Sequence, residues 1–271
     1  MESLIIIVAL FYFIFGTIIG SFLNVVALRF NTSKLLSGRS GCFSCDNKLK
    51  WFELFPIVSY IIQFGKCRKC KSKISIQYPL VEILTGVIFL GIFLKFSDLL
   101  FTSPHYLILL SIYLMIIFSL LIVILIYDLK HKIIPDDLVY TFATLSLTAM
   151  FFDLSTFQLS IPTILPILAG PILFSPFFFL WFVSSGKWIG LGDGKLALGF
   201  GWFLGLSLGA SAVMFSFWIG ALFGIALIIL SSLNLRGKRI TIKSEIPFGP
   251  FLIFGLLIAF FFDLNIINFI I

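Results

Sequence analysis

Residues 106–127 read YLILLSIYLMIIFSLLIVILIY, an uncharged run that stops at Asp128. An α-helix needs about 20 apolar residues to cross the hydrocarbon core of a bilayer. The run is therefore a membrane-spanning helix with a carboxylate at its end. Working outward, Leu4–Leu28 is a first span, interrupted only by small or neutral polar residues such as Ser21 and Asn24. It is too long for the apolar region of a signal peptide, lacks a basic start and shows no small-residue cleavage site, so it reads as retained. Tyr78–Leu94 is the second span, opening at Pro79 and carrying Glu82. After Tyr106–Tyr127 come Leu138–Phe152, Ile161–Val183 and Phe248–Ile271. Leu196–Leu230 is long for one helix and short for two; it reads as two short spans turning near Ser207–Ser211.

Composition agrees. Of 271 residues, 60% are hydrophobic and 11% charged, with 35 Phe, whereas soluble domains have about 45–50% apolar and about 25% charged residues. A water-soluble globule, a disordered chain, collagen and a secreted disulfide scaffold are excluded. The expected fold class is an all-α polytopic membrane protein of about eight transmembrane helices with a small cytoplasmic zinc-binding loop domain. The expected divisions are a first helix at 1–28, a four-cysteine domain at 29–77 and a helical bundle at 78–271. No internal repeat is evident.

The net charge of +7 raises the question of a nucleic-acid partner, but ten of the 19 Lys and Arg residues lie between Arg29 and Lys73. Membrane proteins keep Lys and Arg in cytoplasmic loops. If residues 29–77 are cytoplasmic, two crossings within 196–230 keep Arg236, Lys238, Arg239 and Lys243 on that side as well. The topology then puts 18 of 19 cations inside and only Lys95 outside, with both termini outside. The charge speaks for orientation and for no nucleic acid.

All four cysteines fall in that loop, as Cys42-Phe43-Ser44-Cys45 and Cys67-Arg68-Lys69-Cys70. A C-x-x-C turn aims two thiolates at one metal, and two such turns complete a closed tetrahedral shell. The cytosol disfavours disulfides, and Lys66, Arg68, Lys69 and Lys71 offset the anionic thiolates. Structural zinc on Cys42, Cys45, Cys67 and Cys70 is the leading reading, with redox disulfides or free thiols as alternatives.

Ionisable residues beside apolar spans are expensive and therefore functional candidates. Glu82 lies about one turn into its span, where it serves either function or the helix N-terminus. Asp128 ends the third span; by itself it is also compatible with a solvated boundary. Asp136 or Asp137 could cap the helix after Pro135. Asp193 sits in Gly190-Leu191-Gly192-Asp193-Gly194-Lys195, whose glycine spacing matches no phosphate-binding loop; it too could be an ordinary capped turn. As a pair, Asp128 and Asp193 lie on different helices at the same cytoplasmic level. Two carboxylates brought together there share one proton, so that one activates water while the other protonates or polarises a peptide carbonyl. Gly190 and Gly192 would let an extended substrate backbone approach.

Along most of its length the chain resembles the prepilin peptidases, membrane aspartyl proteases with a G-x-G-D motif. The resemblance is carried by Gly20-Ser21-Phe22-Leu23-Asn24-Val25-Val26, by the two cysteine pairs with Phe55-Pro56-Ile57-Val58-Ser59-Tyr60 between them, and by Tyr78-Pro79-Leu80-Val81-Glu82. Tyr127-Asp128, Gly190-Leu191-Gly192-Asp193-Gly194-Lys195-Leu196 and Ile246-Pro247-Phe248-Gly249-Pro250-Phe251 complete the order. Asn31, and Asp46-Asn47 after Cys45, depart from the commonest family form, where proline and glycine stand.

The resemblance implies that Asp128 and Asp193 are the catalytic pair. It also implies substrates: type IV prepilins or pseudopilins with a short cationic leader on the cytoplasmic face of the bacterial inner membrane, cleaved after a leader Gly. Members with the cysteine loop typically also methylate the new N-terminus with S-adenosylmethionine; others are peptidases only. No residues here independently form a pocket for that cofactor. The loop's excess cations should repel a basic leader, so the loop is expected to face anionic membrane lipids, leaving the leader to Glu82, Asp136, Asp137 or Glu245. The competing class is an ion-coupled transporter using the two aspartates, which would more often hold its carboxylates near mid-bilayer.

Overall fold

The apolar runs fold into helices because, away from water, backbone N–H and C=O groups are satisfied most simply within a helix. The computed structural model describes residues 2–32, 41–42, 44–153, 158–159, 164–233 and 246–266. The chain divides into two compact units, Met1–Ile126 and Tyr127–Ile271.

The first unit contains α1 (Glu2–Arg29), a 3₁₀ turn (Trp51–Leu54), α2 (Val58–Ile62), α3 (Gln77–Lys95), α4 (Leu99–Thr102) and most of α5 (Pro104–His131). α1 and α3 meet on small residues. A Cβ added at Gly16 would stand 2.8 Å from the Gly86 Cα, and one at Gly20 would stand 2.9 Å from the Glu82 Cα. Only hydrogen fits there, so the backbones approach as membrane helices do on small-residue stripes. The Tyr12 hydroxyl donates to Ser111 Oγ at 2.8 Å, joining α1 to α5, and its ring lies 5.1 Å from that of Phe93. The opposite side of α1 leaves Ile6, Ile7, Leu10 and Phe11 exposed, the disposition of a lipid-facing surface.

The second unit takes the last turn of α5, then α6 (Asp136–Ala149), a minimal antiparallel pair β1 (Phe152–Asp153) and β2 (Gln158–Leu159), α7 (Ile164–Ser184), α8 (Leu191–Leu233) and α9 (Gly249–Phe262). α8 is its centre and packs against α6, α7 and α9. The Trp202 indole N–H donates to the Ile167 carbonyl at 2.9 Å, the Phe142 and Phe200 rings meet edge to face, and Ser216 Oγ reaches the Leu252 carbonyl at 3.4 Å.

α8 is not one rod. Gly205 has φ 78° and ψ 178°, outside helical space. A Cβ on Gly209 would lie 3.3 Å from the Phe200 carbonyl oxygen and 3.5 Å from the Gly201 Cα. In a continuous helix, residues nine apart are about 13 Å away. The chain therefore doubles back at Gly205, and residues 191–204 and 206–233 are two arms of a hairpin. The reversal falls at Gly205 rather than at the expected Ser207–Ser211, which are helical. Only glycine adopts that φ/ψ combination without strain.

Among the described residues five helices, α1, α3, α5, α7 and α8, are long and apolar enough to cross a membrane, which makes this a multi-pass membrane protein. The expected count of about eight spans is not reached by length. α6 and α9 have 14 residues each, about 21 Å against a hydrocarbon core of about 30 Å. The span expected at Leu138–Phe152 is helical only to Ala149, and the one expected at Phe248–Ile271 only to Phe262, with 267–271 outside the described residues. Arg236, Lys238, Arg239, Lys243 and Glu245 also lie outside them.

Candidate active site and metal centre

Each aspartate is positioned by a helix end in the second unit. Asp128 occupies the last turns of α5 and is 3% exposed; Asp193 stands in the first turn of α8 and is 8% exposed. The Gly249 backbone N–H, at the start of α9, donates to Asp128 Oδ2 at 3.0 Å. A Cβ at Gly249 would lie 2.6 Å from that oxygen, so glycine leaves the carboxylate its place. The Gly190 backbone N–H donates to Asp193, and the Asp128 and Asp193 charges act on each other. Both carboxylates therefore lie at helix N-termini, where unpaired N–H groups favour negative charge.

Ile134 closes the space between these elements. A Cβ at Gly192 would meet its Cβ at 3.0 Å, and one at Gly249 its Cδ1 at 3.2 Å. Gly190 and Gly192 thus leave room for the Asp193 carboxylate and for Ile134. Asp136 instead pairs with Lys195, Oδ1 to Nζ 2.7 Å, and that ammonium lies 4.9 Å from the Tyr140 ring centre. Asp137 is exposed at the start of α6. Buried Glu82 lies in the first unit, where Oε2 accepts the Ile57 N–H at 2.7 Å and the carboxylate also accepts from Ser21.

Sequence reasoning passed over Ile57. Its φ is 61° and ψ −54°, and the Val58 N–H turns back onto the Pro56 carbonyl at 2.5 Å, a strained γ-turn on a β-branched residue. Beside it, fully buried Asn24 donates to the Gly20 and Tyr78 carbonyls and accepts from Gln77 Nε2. The polar residues of α1, the loop and α3 thus form two hydrogen-bonded sets, Glu82 with Ile57 and Ser21, and Asn24 with Gly20, Gln77 and Tyr78. The only signal in the sequence was polar residues in apolar helices; their partners, tens of residues away, carry no mark.

In the same unit the four Sγ atoms of Cys42, Cys45, Cys67 and Cys70 all lie within 4.8 Å of one another, and those of Cys42 and Cys70 are 3.7 Å apart. Thiolates arranged tetrahedrally at about 2.3 Å from one ion are about 3.8 Å apart, so this donor set could hold a metal ion. The two halves repeat each other. The Asp46 N–H bonds the Cys42 carbonyl and the Lys71 N–H the Cys67 carbonyl, both at 2.9 Å; the Cys42 and Cys67 N–H groups reach Asn47 and Ser72. Bridges Gly41–Lys48 and Lys66–Lys73 close each half. The two C-x-x-C turns expected from the sequence thus share one backbone geometry. Asp46 (φ 50°) and Lys71 (φ 58°) take its left-handed position, which accounts for glycine being common after the second cysteine of such a turn.

Without an ion the thiols are unlike. The Ser44 backbone N–H, then the Ser72 hydroxyl, pull Cys42 down to about 6. The Ser72 hydroxyl also lowers Cys70. At Cys45 the Asn47 N–H works downward, but burial and the neighbouring Cys70, Cys42 and Cys67 outweigh it and push the thiol up to about 11. Four thiols this close do not all ionise unaided, and a dication removes the conflict.

Two family models match separate stretches of the chain. A model described as the bacterial peptidase A24 N-terminal domain matches residues 14–96, and one described as the type IV leader peptidase family matches residues 115–225. A prepilin leader peptidase/N-methyltransferase of Bacillus subtilis (strain 168) is 30% identical over 274 residues, covering 95% of each chain. The chain belongs to the type IV leader peptidase family. Proteins of the same name from Legionella pneumophila (32% over 236 residues, 85% of this chain and 74% of that one) and Myxococcus xanthus (35% over 128 residues) are also similar. The Myxococcus match covers 47% of this chain and 36% of the relative. No solved structure matches. The family's peptidase model covers both Asp128 and Asp193, and its N-terminal model covers all four cysteines.

Proposed function

We propose that Asp128 and Asp193 are the catalytic dyad of a leader peptidase, acting on prepilins or pseudopilins at the cytoplasmic face of the inner membrane with both termini of the chain outside. The observation that carries this is two buried, mutually interacting carboxylates, each held by a glycine N–H, in a chain of the leader peptidase family. One carboxylate takes a proton from water as the water oxygen attacks the scissile carbonyl, and the other delivers a proton to the carbonyl oxygen. Collapse of the tetrahedral species passes a proton to the departing amine. Gly249 and Gly190 keep the two carboxylates oriented. We assign Glu82 to fixing the loop turn at Ile57 rather than to binding a leader, because its carboxylate is already engaged.

The cysteine tetrad is read as a structural zinc site: four protein thiolates leave no open coordination position, so the ion would order the loop and take no part in hydrolysis. The relatives' names support a second activity, N-methylation of the new N-terminus, for which S-adenosylmethionine would supply the methyl group. The described residues contain no glycine-rich strand-to-helix turn of the dinucleotide-binding kind, and no residue is assigned to that cofactor.

The test is cleavage of a prepilin by purified protein in detergent. Asp128→Asn and Asp193→Asn should each abolish leader removal while leaving the fold intact; cleavage by either variant at the wild-type rate removes the dyad. Label transferred from S-adenosylmethionine to cleaved pilin supports the second activity, and its absence leaves a peptidase alone.

A further inference from the structure

Two features of the cysteine loop are used by neither the dyad nor the metal site. One is a hollow of about 280 Å³ lined by Asn47, Lys50, Phe52, Glu53, Arg68 and Lys69. Two of its three cations are held in place. The Arg68 guanidinium lies 5.0 Å and the Lys50 ammonium 5.9 Å from the Phe52 ring centre. The Glu53 side chain is only 6% exposed, takes the Lys50 backbone N–H at 2.8 Å and stands 3.9 Å from Arg68 Nε. Three cations against one engaged carboxylate select an anion. They argue against a cationic ligand such as a basic leader.

The other is the apolar surface beside it. Trp51 is 74% exposed and Phe55 52%, large apolar rings left uncovered on a polar loop. The hollow and this surface are continuous, because the Trp51 ring contacts Phe52 at 5.8 Å and Phe55 at 5.9 Å. The loop leaves the membrane helix α1 at Arg29 and re-enters at Gln77 with α3, so a bilayer is the apolar phase already at hand. Between Arg29 and Lys73 it carries ten Lys and Arg against Asp46 and Glu53, a charge that anionic leaflets attract.

We propose that the cysteine loop docks on the anionic membrane surface, with Lys50, Arg68 and Lys69 holding a phospholipid headgroup phosphate while Trp51 and Phe55 enter the interface. Aromatic rings at headgroup depth beside basic side chains are the ordinary composition of a membrane-surface contact. This goes beyond the peptidase reading and does not depend on it, since the contact is measured without activity.

The experiment uses the full-length protein, zinc-loaded, in nanodiscs of phosphatidylcholine alone or with phosphatidylglycerol, containing lipid spin-labelled near the headgroup. Trp51 is isolated as the fluorescence difference between wild type and Trp51→Phe. The expected result is a blue-shifted Trp51 component quenched by the spin label in anionic nanodiscs and several-fold less in neutral ones. Lys50→Gln with Arg68→Gln and Lys69→Gln should reduce the quenching to the neutral-lipid level while one metal ion per chain is retained, because each cation contributes about fivefold. An unquenched Trp51 in anionic nanodiscs overturns the proposal. So does quenching unaffected by the triple change, or a blue shift that appears only with two copies per disc.

Discussion

The most direct probe of the aspartate site is Gly249→Ala. The added Cβ would fall 2.6 Å from Asp128 Oδ2 and 3.2 Å from Ile134 Cδ1. Both atoms end side chains, so the helix need not move; the carboxylate swings away and loses the Gly249 N–H now at 3.0 Å. A hydrogen bond to a charged group is worth about 1.5–3 kcal/mol. If it orients Asp128 for the transition state, kcat/KM for leader cleavage should fall about 10- to 150-fold. The assay is steady-state cleavage of a prepilin, with thermal unfolding in detergent as the control for folding. Asp128→Asn combined with Gly249→Ala should be no worse than Asp128→Asn alone, because both act through one side chain. Activity within twofold of wild type, with unfolding unchanged, would refute the orienting role of this N–H.

Three further outcomes are expected. Glu82→Ala should speed hydrogen exchange of the Ile57 amide about 10- to 150-fold, since that amide loses a charged acceptor; Glu82→Gln should have a smaller effect, and Ile57→Gly should relieve the strain in either background. Gly205→Ala should lower stability by about 1–3 kcal/mol through backbone strain alone, because nothing lies within 4 Å of an added Cβ there; a thermal midpoint equal to wild type contradicts the hairpin. Metal analysis of the wild type should find one ion per chain, and Cys67→Ser should abolish it. In the wild type, metal should be retained at neutral pH and released as pH falls: the bound thiolates carry no protons, so the metal-bound form gains stability with rising pH.

Much of this was legible in the sequence, and the reasons differ by element. Long uncharged runs announce their helices because nothing else satisfies the backbone in lipid, so α1, α3 and α5 begin and end within a few residues of expectation. Asp128 and Asp193 stood out as carboxylates beside such runs. The hairpin of α8 was expected a few residues late because residues 205–211 offer two glycines and two serines, and only a backbone angle distinguishes Gly205. The donor to Asp128 was hidden because a backbone N–H has no letter of its own. Glu82 looked available to a ligand because its partner, the Ile57 amide, is 25 residues away in sequence. The two cysteine turns were legible from their C-x-x-C spacing, whereas the left-handed pose shared by Asp46 and Lys71 was not, because the two residues are unlike.

The short helices have a mechanical consequence. α9 has 14 residues, and the first arm of α8, which starts at the aspartate and ends at Gly205, is about as long, roughly 21 Å. A bilayer of about 30 Å must thin or dimple around such elements, at a fraction of a kcal/mol for each ångström of mismatch. The lipid annulus beside the two aspartates is then compressed. If Asp128 and Asp193 are the dyad proposed above, a full-length apolar helix lying there would have its end squeezed out toward water, bringing the peptide bond at its boundary to the carboxylates without being pulled from the membrane.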